Sequence, residues 1–133
     1  MKQSERFDAV DIVGIWLTED KDAKIEIYQN EENLFCGKIV WLEEPNMEDG
    51  TIKKDMYNPD PNKRDFPLEG LQLIDGFSFD ENKNQWVNGT IYNPEDGKNY
   101  YCKMWLKDKD NLKVKGSIDK WSIIGQSQIW SRL

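Results

Sequence analysis

The sequence predicts an all-β domain, an antiparallel barrel or sandwich, on three observations. Apolar and polar residues alternate over short runs. No segment sustains a long 3.6-residue period. Turn-forming clusters such as Asp75-Gly76, Asp80–Asn84, Pro94–Gly97 and Asp108–Asn111 separate the runs. At 133 residues the chain suits one domain with one core.

Residues 1–11 read as a disordered N-terminal arm and residues 12–133 as a single barrel domain. Its candidate strands are Ile12–Thr18, Lys24–Gln29, Leu34–Leu42, Leu68–Ile74, Phe77–Phe79, Gln85–Tyr92, Asn99–Leu106, Leu112–Ile118 and Ile123–Arg132. That makes about eight to nine. On the early strands Ile25 and Ile27 alternate with Lys24, Glu26 and Tyr28. An outward Lys38 sends Ile39 and Trp41 inward, and Leu71 and Leu73 share a face.

Two hairpins fix a register. "PEDG" fits a four-residue loop in which Pro94 presets φ and Gly97 takes the left-handed position. Asn93 then opposes Lys98 and Ile91 opposes Tyr100. One face carries Val87, Gly89, Ile91, Tyr100, Cys102, Met104 and Leu106. The other carries Trp86, Asn88, Thr90, Tyr92, Asn99, Tyr101, Lys103 and Trp105. The first is the more apolar and faces the core. In the next hairpin Leu106 opposes Leu112, Met104 opposes Val114 and Cys102 opposes Gly116. The same face is again apolar, and Trp105 lies beside Lys113 outside.

The stretch Glu43–Pro67, "EEPNMEDGTIKKDMYNPDPNKRDFP", breaks the pattern. It holds four of the five prolines and no convincing strand beyond Thr51–Lys54. A connection of this length is uncommon in a compact domain. Its prolines restrict it, so it reads as an ordered flap over one barrel end.

Composition narrows the function. A net charge of −7 opposes binding to nucleic acid or to anionic membranes. No run approaches the length of a membrane span, and "MKQSERFDAV" lacks the apolar stretch of a secretory signal. The chain has no histidine, which excludes His-dependent triads and the commonest metal ligand. Neither a metal nor another cofactor is expected. Asp80, Asn82 and Asn84 begin like a calcium loop, but Gln85 and Ile91 stand where glycine and glutamate are required.

The segments "IVGIWLTED", "KIEIY", "GKIVWLEEP", "KKDMYNPD", "PLEGLQLIDGF", "GTIYNPEDGK", "YYCKMWL" and "LKVKG" occur in that order. They resemble the bacterial family named domain of unknown function 2147 over about Ile12 to Leu133. "GIW" at Gly14–Trp16 with Arg132 in the closing "WSRL" is similar to the calycin pattern of lipocalins, where a first-strand Gly-x-Trp packs on an arginine from the last strand. The resemblance implies an up-and-down calycin barrel and an exported, periplasmic protein whose leader has been removed. A chain complete as given would be cytoplasmic. It implies no activity.

Three residue groups compete for function. Gly14, Trp16 and Arg132 read first as a structural latch, with guanidinium stacked on indole at a closed barrel end. Asp55, Asn58, Asp60 and Arg64 form either a charged mouth that orients a ligand's polar head or plain turn chemistry, since Asn-Pro and Asp-Pro start turns regardless of function. Trp41 and Tyr100 are the inward aromatics suited to a cavity. Tyr92, Tyr101 and Trp86 are outward, where cross-strand aromatics stabilise sheets without any ligand. Cys36 and Cys102 fall on opposite faces and read as free thiols, Cys102 buried and inert.

The expected function is non-enzymatic binding of a small, partly apolar or amphiphilic ligand in the barrel mouth. The alternative is a filled barrel whose outer stripe of Tyr92, Tyr101 and Trp105 meets a protein or glycan. A carboxylate-based hydrolase, drawing on Glu43, Glu44, Glu48 or Asp49, comes third.

Overall fold

The computed structural model describes residues 5–117 and 127–133. Eight strands follow one another: β1 Gly14–Leu17, β2 Ala23–Gln29, β3 Phe35–Leu42, β4 Gln72–Asp80, β5 Gln85–Asn93, β6 Lys98–Asp108, β7 Asn111–Ser117 and β8 Ser127–Arg132. Each pairs antiparallel with its neighbour, and β8 returns to β1, closing an up-and-down barrel. The closing seam is short, with Trp16 opposite Arg132 and Leu17 opposite Ser131. Part of the candidate strands that end at Ile118 and begin at Ile123 lies outside the described residues.

Both hairpin registers match the sequence expectation. Asn93 opposes Lys98 and Ile91 opposes Tyr100. Leu106, Met104 and Cys102 oppose Leu112, Val114 and Gly116, and Trp105 opposes Lys113. The two candidate strands around Asp75-Gly76 are one strand, β4. Gly76 holds φ at +73° without turning the chain, so the apparent turn signal is an irregularity within the strand.

Two bulges overturn face assignments. Trp86 opposes Met104 while Gly89 opposes Cys102, so β5 spends three residues where β6 spends two. Asn88 sits at φ +67° in that step. Upstream of it the alternation flips, and Trp86 points inward and is fully buried. On β3, Ile39 opposes Ile25 but Trp41 opposes Lys24. Val40 is the extra residue, and Trp41 turns outward to lie under the Lys24 ammonium, 4.6 Å from its ring centroid.

Over residues 5–11 the expected disordered arm is instead ordered. Residues 9–12 make a 3-10 turn, and side chains of the barrel hold the whole stretch. Asn84 clamps Phe7 by exchanging two hydrogen bonds, Phe7 N–H to Oδ1 at 2.9 Å and Nδ2 to the Phe7 carbonyl at 2.8 Å. The indole N–H of Trp86 donates to the Ala9 carbonyl at 3.1 Å, and that of Trp16 to the Ile12 carbonyl at 2.9 Å. Ile12 is thereby driven into the core with no exposed surface.

The core fills the lower and middle barrel. Trp16, Ile27, Phe77, Trp86, Ile74, Met104 and Leu112 have no exposed surface. Packing is close enough that a Cβ at Gly89 would overlap the Phe77 ring, and one at Gly37 would press within 3.0 Å of Ile74.

Candidate functional site

An up-and-down order places the connections 30–34, 81–84 and 109–110, with the 3-10 turn, at one end. The connections 18–22, 43–71 and 94–97 lie at the other. The first end is closed by Arg132. Its guanidinium carbon sits 4.3 Å from the Trp16 ring centroid. Its N–H groups donate to the carbonyls of Lys109 at 2.8 Å and Val13 at 2.9 Å, and to that of Asp11. One planar cation thus satisfies three carbonyls that no strand partner takes. Gly14 leaves room for it, since a Cβ there would lie 2.6 Å from Nη1.

The second end is different in kind. By register the inward residues nearest it are Leu42 opposite Ala23, Ile91 opposite Tyr100, and Gln128 opposite Val114. Leu42, Ile91, Tyr100 and Gln128 are half-buried, as is Leu71 just before β4. The inward face therefore passes from fully covered side chains to a partly open, mainly apolar ring. Its polar groups are the Gln128 amide, whose Oε1 accepts from the Trp130 indole at 2.9 Å, and the Tyr100 hydroxyl, which donates to Asp96 at the β5–β6 turn. That bond raises the Tyr100 pKa and holds the Asp96 carboxyl below its ordinary value.

The long connection is ordered by its own hydrogen bonds. Lys53 donates to Pro45 at 2.9 Å, Leu68 to Lys53 at 3.0 Å and Asp55 to Phe66 at 2.9 Å. It is fixed to the barrel through Asp55, the buried charged residue among those described. Its two oxygens accept from the Tyr92 hydroxyl and the Asn58 amide, each at 2.7 Å. Burial and the bond to Asp55 both push the Tyr92 pKa up. A second anchor is backbone packing. Gly97, at φ +71°, lies so near the Tyr57 carbonyl that no Cβ would fit.

The sequence-derived site residues thus separate. Asp55 and Asn58 come together in the anchor. Asp60 accepts from the Asn62 N–H at 3.0 Å and Arg64 Nε donates to the Asn58 carbonyl at 2.7 Å, which is local turn chemistry. Arg64 is exposed and Trp41 lies on the outer face, so neither joins Tyr100 at the ring. Glu43, Glu44, Glu48 and Asp49 are exposed. Glu44, Glu48 and Asp49 border an open cleft of about 490 Å³ beside Met47 and Lys53. Cys36 faces outward by pairing with Tyr28, yet is covered, with its sulfur 3.7 Å from Asp75. Cys102 is inward, and burial pushes its thiol up to about 12. Both cysteines are free. Among the described residues no cluster of acidic or cysteine side chains has the geometry of a metal site.

Sequence reasoning missed Leu42, Leu71 and Gln128. The alternation Gln128, Trp130, Arg132 opposite Val114, Leu112 and Trp16 was the available signal. The link from Asp55 to Tyr92 spans 37 positions and has no local signature.

Charge follows the same division. The connections 18–22, 43–71 and 94–97 carry thirteen acidic and five basic side chains, against twelve and thirteen in the rest of the chain. The acidic character therefore belongs to the open end. No helix among the described residues is long and apolar enough to cross a membrane.

Comparison with known proteins agrees with this architecture. The family model "Uncharacterized protein conserved in bacteria (DUF2147)" matches residues 14–132. A solved structure from Helicobacter pylori, protein HP1028, described as belonging to the lipocalin family, is similar at 27% identity and a TM-score of 0.77. The similarity covers 92% of this chain and 82% of that one. No curated protein matches.

Proposed function

We propose, from the premise that the chain belongs to the bacterial family DUF2147, that it is a non-enzymatic binding protein for a small, partly apolar ligand seated in the open barrel end. One observation carries this reading: the inward face is sealed below and half-exposed above, at Leu42, Leu71, Ile91, Tyr100 and Gln128. A mainly apolar ring with a few polar groups has the make-up of a small-molecule site. The ligand's apolar part is desolvated against the ring. Its polar end meets the Gln128 amide and the Tyr100–Asp96 pair. Phe77, buried against Gly89, lies deeper in the barrel than Ile91.

The long connection fits the same role. It exposes Met47, Ile52, Met56, Tyr57 and Phe66 at the same end of the barrel, and exposed apolar side chains are the material of interaction sites. Asp55 is a positioning residue here, because it holds the connection over Tyr92. The family resemblance adds the expectation of a periplasmic home.

The test is native mass spectrometry of the protein taken from the periplasmic fraction of its own host. A reproducible small-molecule adduct is expected, absent from a Leu42→Trp variant that fills the ring while keeping the native circular dichroism. A bare mass in every preparation, or an adduct indifferent to Leu42→Trp, overturns the proposal. Recovery only from the cytoplasmic fraction overturns the location alone.

A further inference from the structure

The outer faces of β6 and β7 make a patch that the ligand ring does not use. Register sets Tyr101 opposite Ser117, Lys103 opposite Lys115 and Trp105 opposite Lys113. Tyr101, Lys103, Trp105, Lys113 and Lys115 share the outward face, because Cys102, Met104, Leu112 and Val114 between them are buried. Tyr101 is 45% exposed, Lys103 is exposed, and Trp105, Lys113 and Lys115 are half-exposed.

Two features of this face are unfavourable for the protein by itself. Lys103 and Lys115 stand directly across the ladder, and like charges so placed destabilise a sheet. Among the described residues no carboxylate lies within salt-bridge distance of Lys103, Lys113 or Lys115, whereas Lys38, Lys53 and Lys54 each have one. The outward neighbours add no acid either: Thr90 flanks Tyr101, and Ile129 and Ser127 flank Lys113 and Lys115. Glu19 approaches the edge of this face, where one carboxylate oxygen accepts from the Ile129 N–H at 2.9 Å, but it makes no ion pair with the three lysines. The acidic excess of the chain sits in the open-end connections, so it does not neutralise this wall.

We propose that the β6–β7 wall binds an acidic polysaccharide, a chain of sugar rings bearing carboxylates. The lysines supply charge complementarity. Trp105 and Tyr101 supply faces on which sugar rings stack. They lie four residues apart on one strand, about 13 Å at ~3.3 Å per residue, which is the reach of several linked rings rather than one. Lys103 stands between them, positioned for a carboxylate on an intervening sugar. Tyr92, although aromatic and on the same hairpin, takes no part, since its hydroxyl is committed to Asp55.

The experiment is titration of the full chain with polygalacturonate, followed by calorimetry, with dextran as the uncharged control and polyuridylate as an anion without the sugar-acid backbone. Expected are binding to polygalacturonate that weakens with added salt, none to dextran, and weaker binding to polyuridylate. Lys103→Glu should reduce affinity about tenfold or more while leaving the melting temperature equal or higher, because it replaces a repulsive pair with an attractive one. Trp105→Ala with Tyr101→Ala should reduce it comparably. Absence of binding overturns the proposal, as does an affinity that Lys103→Glu leaves unchanged. Equal binding of polyuridylate, or indifference to the aromatic pair, reduces the wall to nonspecific charge and overturns it too. The ligand in the open end is independent of every one of these outcomes.

Discussion

At the closed end the turns are short, two tryptophan indoles bind the carbonyls of the 3-10 turn, and Arg132 stacks on Trp16 beneath three further carbonyls. At the open end one connection runs for 29 residues, acidic side chains dominate, and the inward residues keep part of their surface in water. The same eight strands serve both. The difference teaches that the residues closing the fold and those of the proposed site are spatially separated: aromatic area goes to closure below, and the ring above is left free of that duty.

The separation can be broken most directly by matched truncations. Trp16→Ala should cost about 3–5 kcal/mol, the range for removing a buried aromatic, whereas Tyr100→Ala should cost about 1 kcal/mol or less, because its ring is already half in water. Urea denaturation reads both. Equal losses would mean that the open end also carries the fold.

Asp55→Ala comes next. It leaves the Tyr92 hydroxyl and the Asn58 amide without their acceptor, for about 1–3 kcal/mol. Hydrogen exchange should quicken at Lys53, Asp55 and Leu68, whose amides tie the connection together, while the amides of β6 and β7 keep their protection. Uniform loss of protection would show that the anchor belongs to the core rather than to the open end.

Cys102 lies between the two regions and gives the smallest effect. The native state holds its proton up to about pH 12, against an ordinary 9.0. The unfolded chain releases that proton earlier, so this contribution is fully present below about pH 9 and is lost as pH rises toward 12. Tyr28, Tyr92 and Tyr100 shift in the same direction, so the comparison is with Cys102→Ala. At pH 10 the wild type should have lost about 1 kcal/mol more than the variant, relative to pH 7. Identical pH profiles would place the thiol in solvent and the boundary lower in the barrel.

Most of the fold was legible because antiparallel hairpins encode their register locally. "PEDG" and the Asp108–Asn111 turn suffice to align β5 from Gly89 to Asn93 with β6, and Leu112 to Gly116 of β7 with β6. Trp41 and Trp86 went to the wrong faces because alternation counts residues, and a bulge adds one that no composition rule announces. Asn88 and Val40 look like ordinary strand residues until the partner strand is in place. The order of residues 5–11 escapes the sequence for a like reason: Asn84 and Trp86 hold Phe7 and Ala9 from a distance. Of the proposed site, Tyr100 is legible by parity, while the ring around it needs β3, β5, β8 and the approach to β4 brought together.

Phe77 rests in the space that Gly89 leaves open, and this pair sets the depth of the barrel. A smaller residue at 77 would lower the floor beneath Ile91 and Tyr100 without touching a single backbone hydrogen bond. A larger one at 89 would demand that shrinkage in return. The capacity of the proposed site is thus adjustable through two side chains while the wall stays constant. A designer seeking a deeper container, or a lineage drifting toward a bulkier cargo, has a route that leaves the architecture alone.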